Sequence, residues 1–222
     1  ISVLYSGEEG IIWIGTTKQG FSYHHKNLFK FNTFTIKKQA DSEGSNDITC
    51  AVEDAQENLW LGTNTGGLFY YNRKDNIYKQ YLYSPANPSS IRSNSIKTLL
   101  IDKNNRLWVG TNKGLNLFNG NSFEHFIHDP ANPWSITNNI IEDLCQDSEG
   151  KIWIATNQGL SLFDPDKKAV IKHFRYTTDA DSTIQAHAIF SIIEDRDNIL
   201  WFATDNGLRS FDRRNIRWEY FN

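Results

Sequence analysis

Residues 106–119 read RLWVGTNKGLNLFN, and the same pattern returns four more times, as GIIWIGTTKQGFSYH (10–24), NLWLGTNTGGLFYYN (58–72), KIWIATNQGLSLFD (151–164) and ILWFATDNGLRSFD (199–212). The anchoring tryptophans Trp13, Trp60, Trp108, Trp153 and Trp201 are spaced by 47, 48, 45 and 48 residues. That period is the length of one four-stranded propeller blade and is too long for a leucine-rich or ankyrin unit.

Working outward from the central copy, SIKTLLID (95–102) reads as a first strand, and the polar turn KNNR leads into a second, Leu107 to Thr111. The loop NKG gives way to a third strand, Leu115 to Asn119. A fourth, Ser122 to His128, alternates aromatic and polar residues. Four antiparallel strands make one blade. The expected fold is therefore all-β, a β-propeller segment over 1–222 with five blades at about 1–38, 46–83, 94–128, 139–176 and 187–222. It is expected to be an arc of a larger, seven-bladed propeller, because the chain opens on a first strand and ends on a fourth. The absence of Met, even at position 1, suggests a chain cut from a longer one.

Each repeated residue has a structural duty. The tryptophans are plates that can pack between neighbouring sheets. Two residues further on the side chain is tiny (Gly15, Gly62, Gly110, Ala155, Ala203), as a close approach requires. The glycine opening each third strand (Gly20, Gly67, Gly114, Gly159, Gly207) fits a tight turn at positive φ. Six residues before four of the tryptophans stands an aspartate (Asp54, Asp102, Asp147, Asp195), placed to accept backbone N–H groups in the first hairpin. The first unit has Gly7 there.

Composition narrows the function. A chain of 222 residues, 39% hydrophobic and 14% aromatic, can bury a core without metal or disulfide. The net charge of −3, with scattered Lys and Arg, lacks the footprint of a nucleic-acid binder. No apolar run is long enough to cross a bilayer as a helix, so no membrane contact is expected. Cys50 and Cys145 lie in strands two blades apart and read as small buried hydrophobes.

The five units resemble the two-component regulator propeller repeats, which share the turn Asp, the hydrophobic-Trp-hydrophobic-Gly-Thr core and the Gly-Leu third strand. The connections SPANPSSIRSNSI (84–96) and DPANPWSITNNI (129–140) extend the likeness. The resemblance implies a sensor segment from the periplasmic region of a hybrid histidine kinase that controls polysaccharide-utilisation genes. It also implies further blades and a β-sandwich in the parent chain, a homodimeric parent and no catalysis by this segment.

Against that background few residues are candidates for chemistry. The acid pairs Glu53-Asp54, Glu142-Asp143 and Glu194-Asp195 are the candidates for glycoside hydrolysis, but two recur at one place in the repeat, which favours a structural role. No nucleophile elbow is present. His24-His25 and Asp195-Arg196-Asp197-Asn198 fall short of metal patterns, so neither a metal nor a cofactor is assigned. Trp134 breaks the pattern, standing in a connection where the matching positions hold Ser89 and Ser182. It is the candidate platform for an oligosaccharide or other small ligand. Arg92, Asn112, Lys113, Asn157, Gln158, Asp205 and Asn206 are expected to share its face of the propeller. A protein-interaction scaffold is the alternative, and a propeller glycosidase or lyase is a more distant one.

Overall fold

The computed structural model describes residues 3–7, 11–16, 20–25, 32–34, 47–174 and 186–221. Every regular element among them is a strand, and the strands form five four-stranded antiparallel sheets. Blade 1 comprises β1 (Val3–Ser6), β2 (Ile11–Thr16), β3 (Gly20–His25) and β4 (Asn32–Phe34). Blade 2 has β5 (Ile48–Glu53), β6 (Leu59–Thr63), β7 (Leu68–Asn72) and β8 (Ile77–Tyr81). Blade 3 has β9 (Ile96–Ile101), β10 (Leu107–Thr111), β11 (Gly114–Phe118) and β12 (Phe123–Phe126). Blade 4 has β13 (Ile141–Gln146), β14 (Ile152–Thr156), β15 (Gly159–Asp164) and β16 (Ala169–Phe174), and blade 5 has β17 (Ile189–Glu194), β18 (Ile199–Thr204), β19 (Gly207–Asp212) and β20 (Arg217–Phe221). Strand order within each sheet follows chain order. The fold is a β-propeller segment of five blades.

The chain divides into two compact units, Ile1–Thr111 with Asn116–Glu124, and Asn112–Leu115 with His125–Asn222. In the first unit, Trp13 and Phe21 of blade 1 are covered by Ile48, Leu59, Leu61 and Phe69 of blade 2. Trp60 and Leu68 of blade 2 are covered in turn by Ile96, Leu99, Leu107 and Val109, and the Phe118 ring meets Trp60 edge-on at 4.9 Å. In the second unit, Trp153, Leu160 and Phe174 pack against Ile189, Ile192, Leu200, Phe202 and Phe211. Trp13, Trp60 and Trp153 thus each belong to two sheets, as their apolar area favours.

The tiny residue after the tryptophan is explained by these seams. A Cβ on Gly62 would lie 2.4 Å from Cys50 Sγ and 2.6 Å from Ile96 Cγ2 of the next blade. Gly67 sits at φ 76, and a Cβ there would meet the Tyr81 carbonyl oxygen at 2.4 Å. Both cysteines are free and half-buried, less enclosed than the sequence suggests, because each faces the seam from a first strand. Burial, ahead of nearby carboxylates, pushes the Cys145 thiol up to about 11.

Four first strands carry a bulge at one place, at the steps 48/50, 141/143 and 189/191 and opposite 110/111. A bulge frees ladder groups, and neighbouring blades use this region. Thr49 Oγ1 donates to the Ile96 carbonyl at 2.8 Å. Asp143 accepts from Ile192 N at 2.8 Å and from Ser191 Oγ at 2.9 Å.

The last blade departs from the pattern. Leu68, Leu115 and Leu160 are wholly buried, whereas Leu208 at the matching position is 40% exposed, with Phe190, Ile193 and Phe221 also exposed around it.

Candidate functional site

The recurrent aspartates do more than hold a turn. Asp102 Oδ1 accepts from the backbone N–H groups of Asn104 and Arg106, both at 2.9 Å. Its Oδ2 accepts the Trp108 indole N–H at 2.8 Å and pairs with Arg106 Nε at 2.6 Å. The indole contact recurs from Trp60 to Asp54 at 3.4 Å, from Trp153 to Asp147 at 2.8 Å and from Trp201 to Asp195 at 2.7 Å. Each aspartate therefore ties the first hairpin to the tryptophan plate. Burial alone would raise the Asp102 carboxyl, but the Trp108 and Arg106 donors outweigh it and hold it below the ordinary value. For Asp195 the Trp201 donor is the main cause of the lowered value. In blade 1, where Gly7 replaces the aspartate, Trp13 Nε1 is buried with no hydrogen-bond partner among the described residues.

Glu53, Glu194 and Asp143 of the candidate pairs are engaged in the framework. Glu53 pairs with Arg73 at 3.2 Å, while the Arg73 guanidinium lies 5.1 Å from the Trp13 ring centre. Glu194 accepts from Ser148 N at 2.7 Å and from Arg213, and Arg213 also reaches Asp147 at 2.6 Å. Asp143 clasps the bulge of blade 5. These carboxylates hold turns and seams. His24 and His25 lie side by side on β3, so their side chains leave opposite faces. The Asp195 carboxylate is occupied by Asp197 N, Ile199 N and Trp201 Nε1. Among the described residues no group of three His, Cys, Asp or Glu is placed to hold a metal ion.

The polar candidates sit in tight turns beside the connections between blades. Asn112 and Lys113 precede Gly114, whose N–H donates to the Asn139 carbonyl at 2.7 Å. Gln158 N donates to Thr156 Oγ1 at 3.1 Å, and Asn157 Oδ1 is buried without a hydrogen-bond partner among the described residues. Asn206 N likewise donates to Thr204 Oγ1, and Asp205 accepts from His187 N at 3.2 Å. Arg92, in the first unit, is half-buried and donates its backbone N–H to Asn116 Oδ1 at 3.2 Å.

Trp134 stands at the other end of blade 4 from Asn157 and Gln158, so those two do not share its face. Its loop, Asp129 to Ser135, descends along the outer strand β16. His173 Nε2 holds the Pro133 carbonyl there at 2.9 Å. Trp134 consequently lines a cavity of about 540 Å³ with Lys168, Ala169 and Val170, at the β15–β16 turn. Gln158 adjoins the opposite end of β15, roughly 17 Å away at about 3.3 Å per residue. The homologous loop 84–90 descends in the same way, with Phe123 N donating to the Ser89 carbonyl at 2.9 Å. Sequence reasoning missed this because the loop's course depends on contacts with an outer strand far along the chain. Ser182 lies outside the described residues.

The loop is built to stay in place. Asn132 Oδ1 accepts Trp134 N at 3.0 Å, Asp129 Oδ1 accepts Ala131 N at 2.9 Å, and Ser135 Oγ both accepts Asp129 N and donates to Asp129 O. The serine-bearing copy uses the same scheme, with Asn87 Oδ1 accepting Ser89 N and Ser90 Oγ bridging Ser84. The backbone therefore has no need of a tryptophan. Trp134 is 61% exposed, beside a floor formed by the buried Ile136, Phe163 and Val170. An exposed indole on a rigid loop above an apolar-floored cavity can stack a flat apolar face.

The comparisons agree with this architecture. The two component regulator propeller model matches residues 42–65, 90–113, 135–158 and 183–206. Blade 1, the one without the turn aspartate, lies outside the matches, so the sequence expectation that all five units fit the family holds for four. No curated protein matches the chain. Among solved structures, the chain is similar over its whole length to the extracellular domain of BT3049 from B. thetaiotaomicron, described as a hybrid two component system, with 24% identity and a TM-score of 0.76. It is similar to the extracellular domain of BT4673 from the same organism, described as a one component system, with 24% identity and a TM-score of 0.52. The chain spans 28% of the first of these and 35% of the second. Virginiamycin B lyase from Staphylococcus aureus shares the fold at 15% identity and a TM-score of 0.71, with 99% of this chain and 68% of the lyase covered. Blades 2 to 5 of this chain each carry a match to the two component regulator propeller repeat.

Proposed function

We propose that this chain is a ligand-sensing segment from the extracytoplasmic region of a two-component regulator, and that it recognises an oligosaccharide through the Trp134 cavity. The parent is read as a periplasmic-facing histidine kinase that controls polysaccharide utilisation, acts as a homodimer, and carries further propeller blades and a β-sandwich. The four family matches support the regulator assignment. The small share of the BT3049 and BT4673 domains that the chain spans supports its place within a larger propeller region. The segment itself is read as non-catalytic, because its acid pairs are committed to turns and seams.

One observation carries the ligand reading. Trp134 is 61% exposed on a loop whose serine-bearing copy keeps the same hydrogen bonds. Glycan-array and calorimetric screening of the chain beside Trp134→Ala tests it. Saturable binding to an oligosaccharide, lost in the variant, is expected, whereas binding that survives the substitution would move the site elsewhere. A second reading, a protein-interaction scaffold, draws on the exposed Phe190, Ile193 and Leu208 of blade 5. It predicts silence on the glycan array.

A further inference from the structure

The Trp134 cavity carries charge as well as an aromatic platform. Among its lining residues Lys168 is the one with a fixed positive charge and Asp129 the one carboxylate. Asp129 uses Oδ1 to hold its own turn, accepting Ala131 N at 2.9 Å, and a carboxylate has a second oxygen that can accept. His128 Nδ1 lies 2.8 Å from the Ile136 carbonyl. A carbonyl only accepts, so Nδ1 carries the proton and neutral His128 presents Nε2 as an acceptor. Lys168 closes the β15–β16 turn at φ 54, and that turn is pinned by Asp164 Oδ1, which accepts Asp166 N and Lys167 N. The cation, the acceptors and the indole are thus all mounted on hydrogen-bonded loops.

We infer that the cavity takes a hexuronate-containing oligosaccharide, a reading that rests on the oligosaccharide assignment above and narrows it. The apolar face of the sugar ring lies on Trp134, its carboxylate pairs with Lys168, and its hydroxyls donate to Asp129 and His128. A neutral sugar would use the indole and the acceptors but has no group for the ammonium. A volume of about 540 Å³ lies within the roughly 300–1,000 Å³ of small-molecule sites, enough for a short oligomer. The chain as a whole is acidic, with net charge −3, so any preference for an anion must be local to this cavity.

Calorimetry with trigalacturonate, its methyl ester and maltotriose separates the possibilities. Trigalacturonate should bind at least tenfold more tightly than the other two. Lys168→Asn, which the left-handed position tolerates, should cost the acid about tenfold and leave the ester unchanged, and Lys168→Arg should retain binding. Trp134→Ala should abolish all of it. Both positions are exposed, and circular dichroism checks that the variants fold. Equal affinity for acid and ester, or a Lys168→Asn variant that binds the acid normally, overturns the carboxylate assignment while the oligosaccharide reading stands. Silence toward all three ligands also overturns it, and the wider glycan screen then decides the oligosaccharide reading alone.

Discussion

His173 Nε2 lies 2.9 Å from the carbonyl oxygen of Pro133, the residue before Trp134, while its Nδ1 lies 3.2 Å from Ser161 Oγ. The carbonyl requires a proton on Nε2, and the Ser161 hydroxyl proton is shared between His173 Nδ1 at 3.2 Å and Thr137 Oγ1 at 3.3 Å. Ser161 Oγ in turn accepts Thr137 N at 3.1 Å, and Thr137 Oγ1 meets Thr156 Oγ1 at 3.0 Å. A chain of hydrogen bonds therefore runs from the Trp134 loop into the buried middle of blade 4. Replacing His173 with Ala should release the loop, lower stability by about 1 kcal/mol and red-shift the loop tryptophan emission. Unchanged emission, read against Trp134→Ala as the blank, would count against the anchor.

The aspartate–indole ties should be the costliest polar contacts to lose. Asp102→Ala removes the partner of the buried Trp108 N–H and of two backbone N–H groups. A loss of about 2–4 kcal/mol is expected in urea unfolding, against less than about 0.5 kcal/mol for an exposed control such as Lys103→Ala.

Gly7 is the converse case, because Trp13 Nε1 is buried there without a partner among the described residues. A Cβ at position 7 would stand 3.6 Å from Trp13 Nε1 and 3.4 Å from Glu53 Oε2. A carboxylate there would repel Glu53, whereas an amide oxygen would not. Gly7→Asn should therefore raise stability by about 1 kcal/mol, and Gly7→Asp by less. A ranking with Asp above Asn would contradict this.

Ile216 sits at φ 54 in the β19–β20 turn, at the place held by Asn76 and Lys168 in other blades. A β-branched side chain is poorly suited to that region, and this one is 72% exposed, so it gains little from packing. Ile216→Asn should stabilise by about 1 kcal/mol, seen as a higher melting temperature with unchanged far-ultraviolet circular dichroism.

Asp164 supplies a pH signature. Lys151, 2.7 Å away, is the main reason its carboxyl falls to about 2, with Lys167 and Asp166 N–H groups assisting. Because the folded value lies below the unfolded one, its contribution is complete above the ordinary carboxylate range and is lost as pH falls from about 4 towards about 2. Asp164→Asn should flatten the stability profile across that window and shift it downward above it. A profile parallel to wild type would remove Asp164 from the account.

The blade pattern was legible because it is local: one tryptophan, one tiny residue and one turn glycine recur at fixed offsets, and strand period and turn chemistry agree with them. The turn role of the aspartates was legible for the same reason. Their bond to the indole was not, although the constant six-residue offset from Asp102 to Trp108 was the available signal. The clasp of Asp143 on Ile192 depends on a bulge in the next sheet and leaves no local trace. Trp134 stood out as a departure from its serine-bearing copy, but its position depends on the hold of His173 on Pro133, 40 residues apart in the chain. The cation beside it, Lys168, was invisible as a site residue because nothing in its turn differs from an ordinary surface turn.

The carboxylate–indole tie has a dynamic consequence. The Trp108 indole N–H and the backbone N–H groups of Asn104 and Arg106 all share one buried acceptor, Asp102. Their protons should therefore exchange with solvent together, through one opening of the β9–β10 hairpin rather than by separate local fraying.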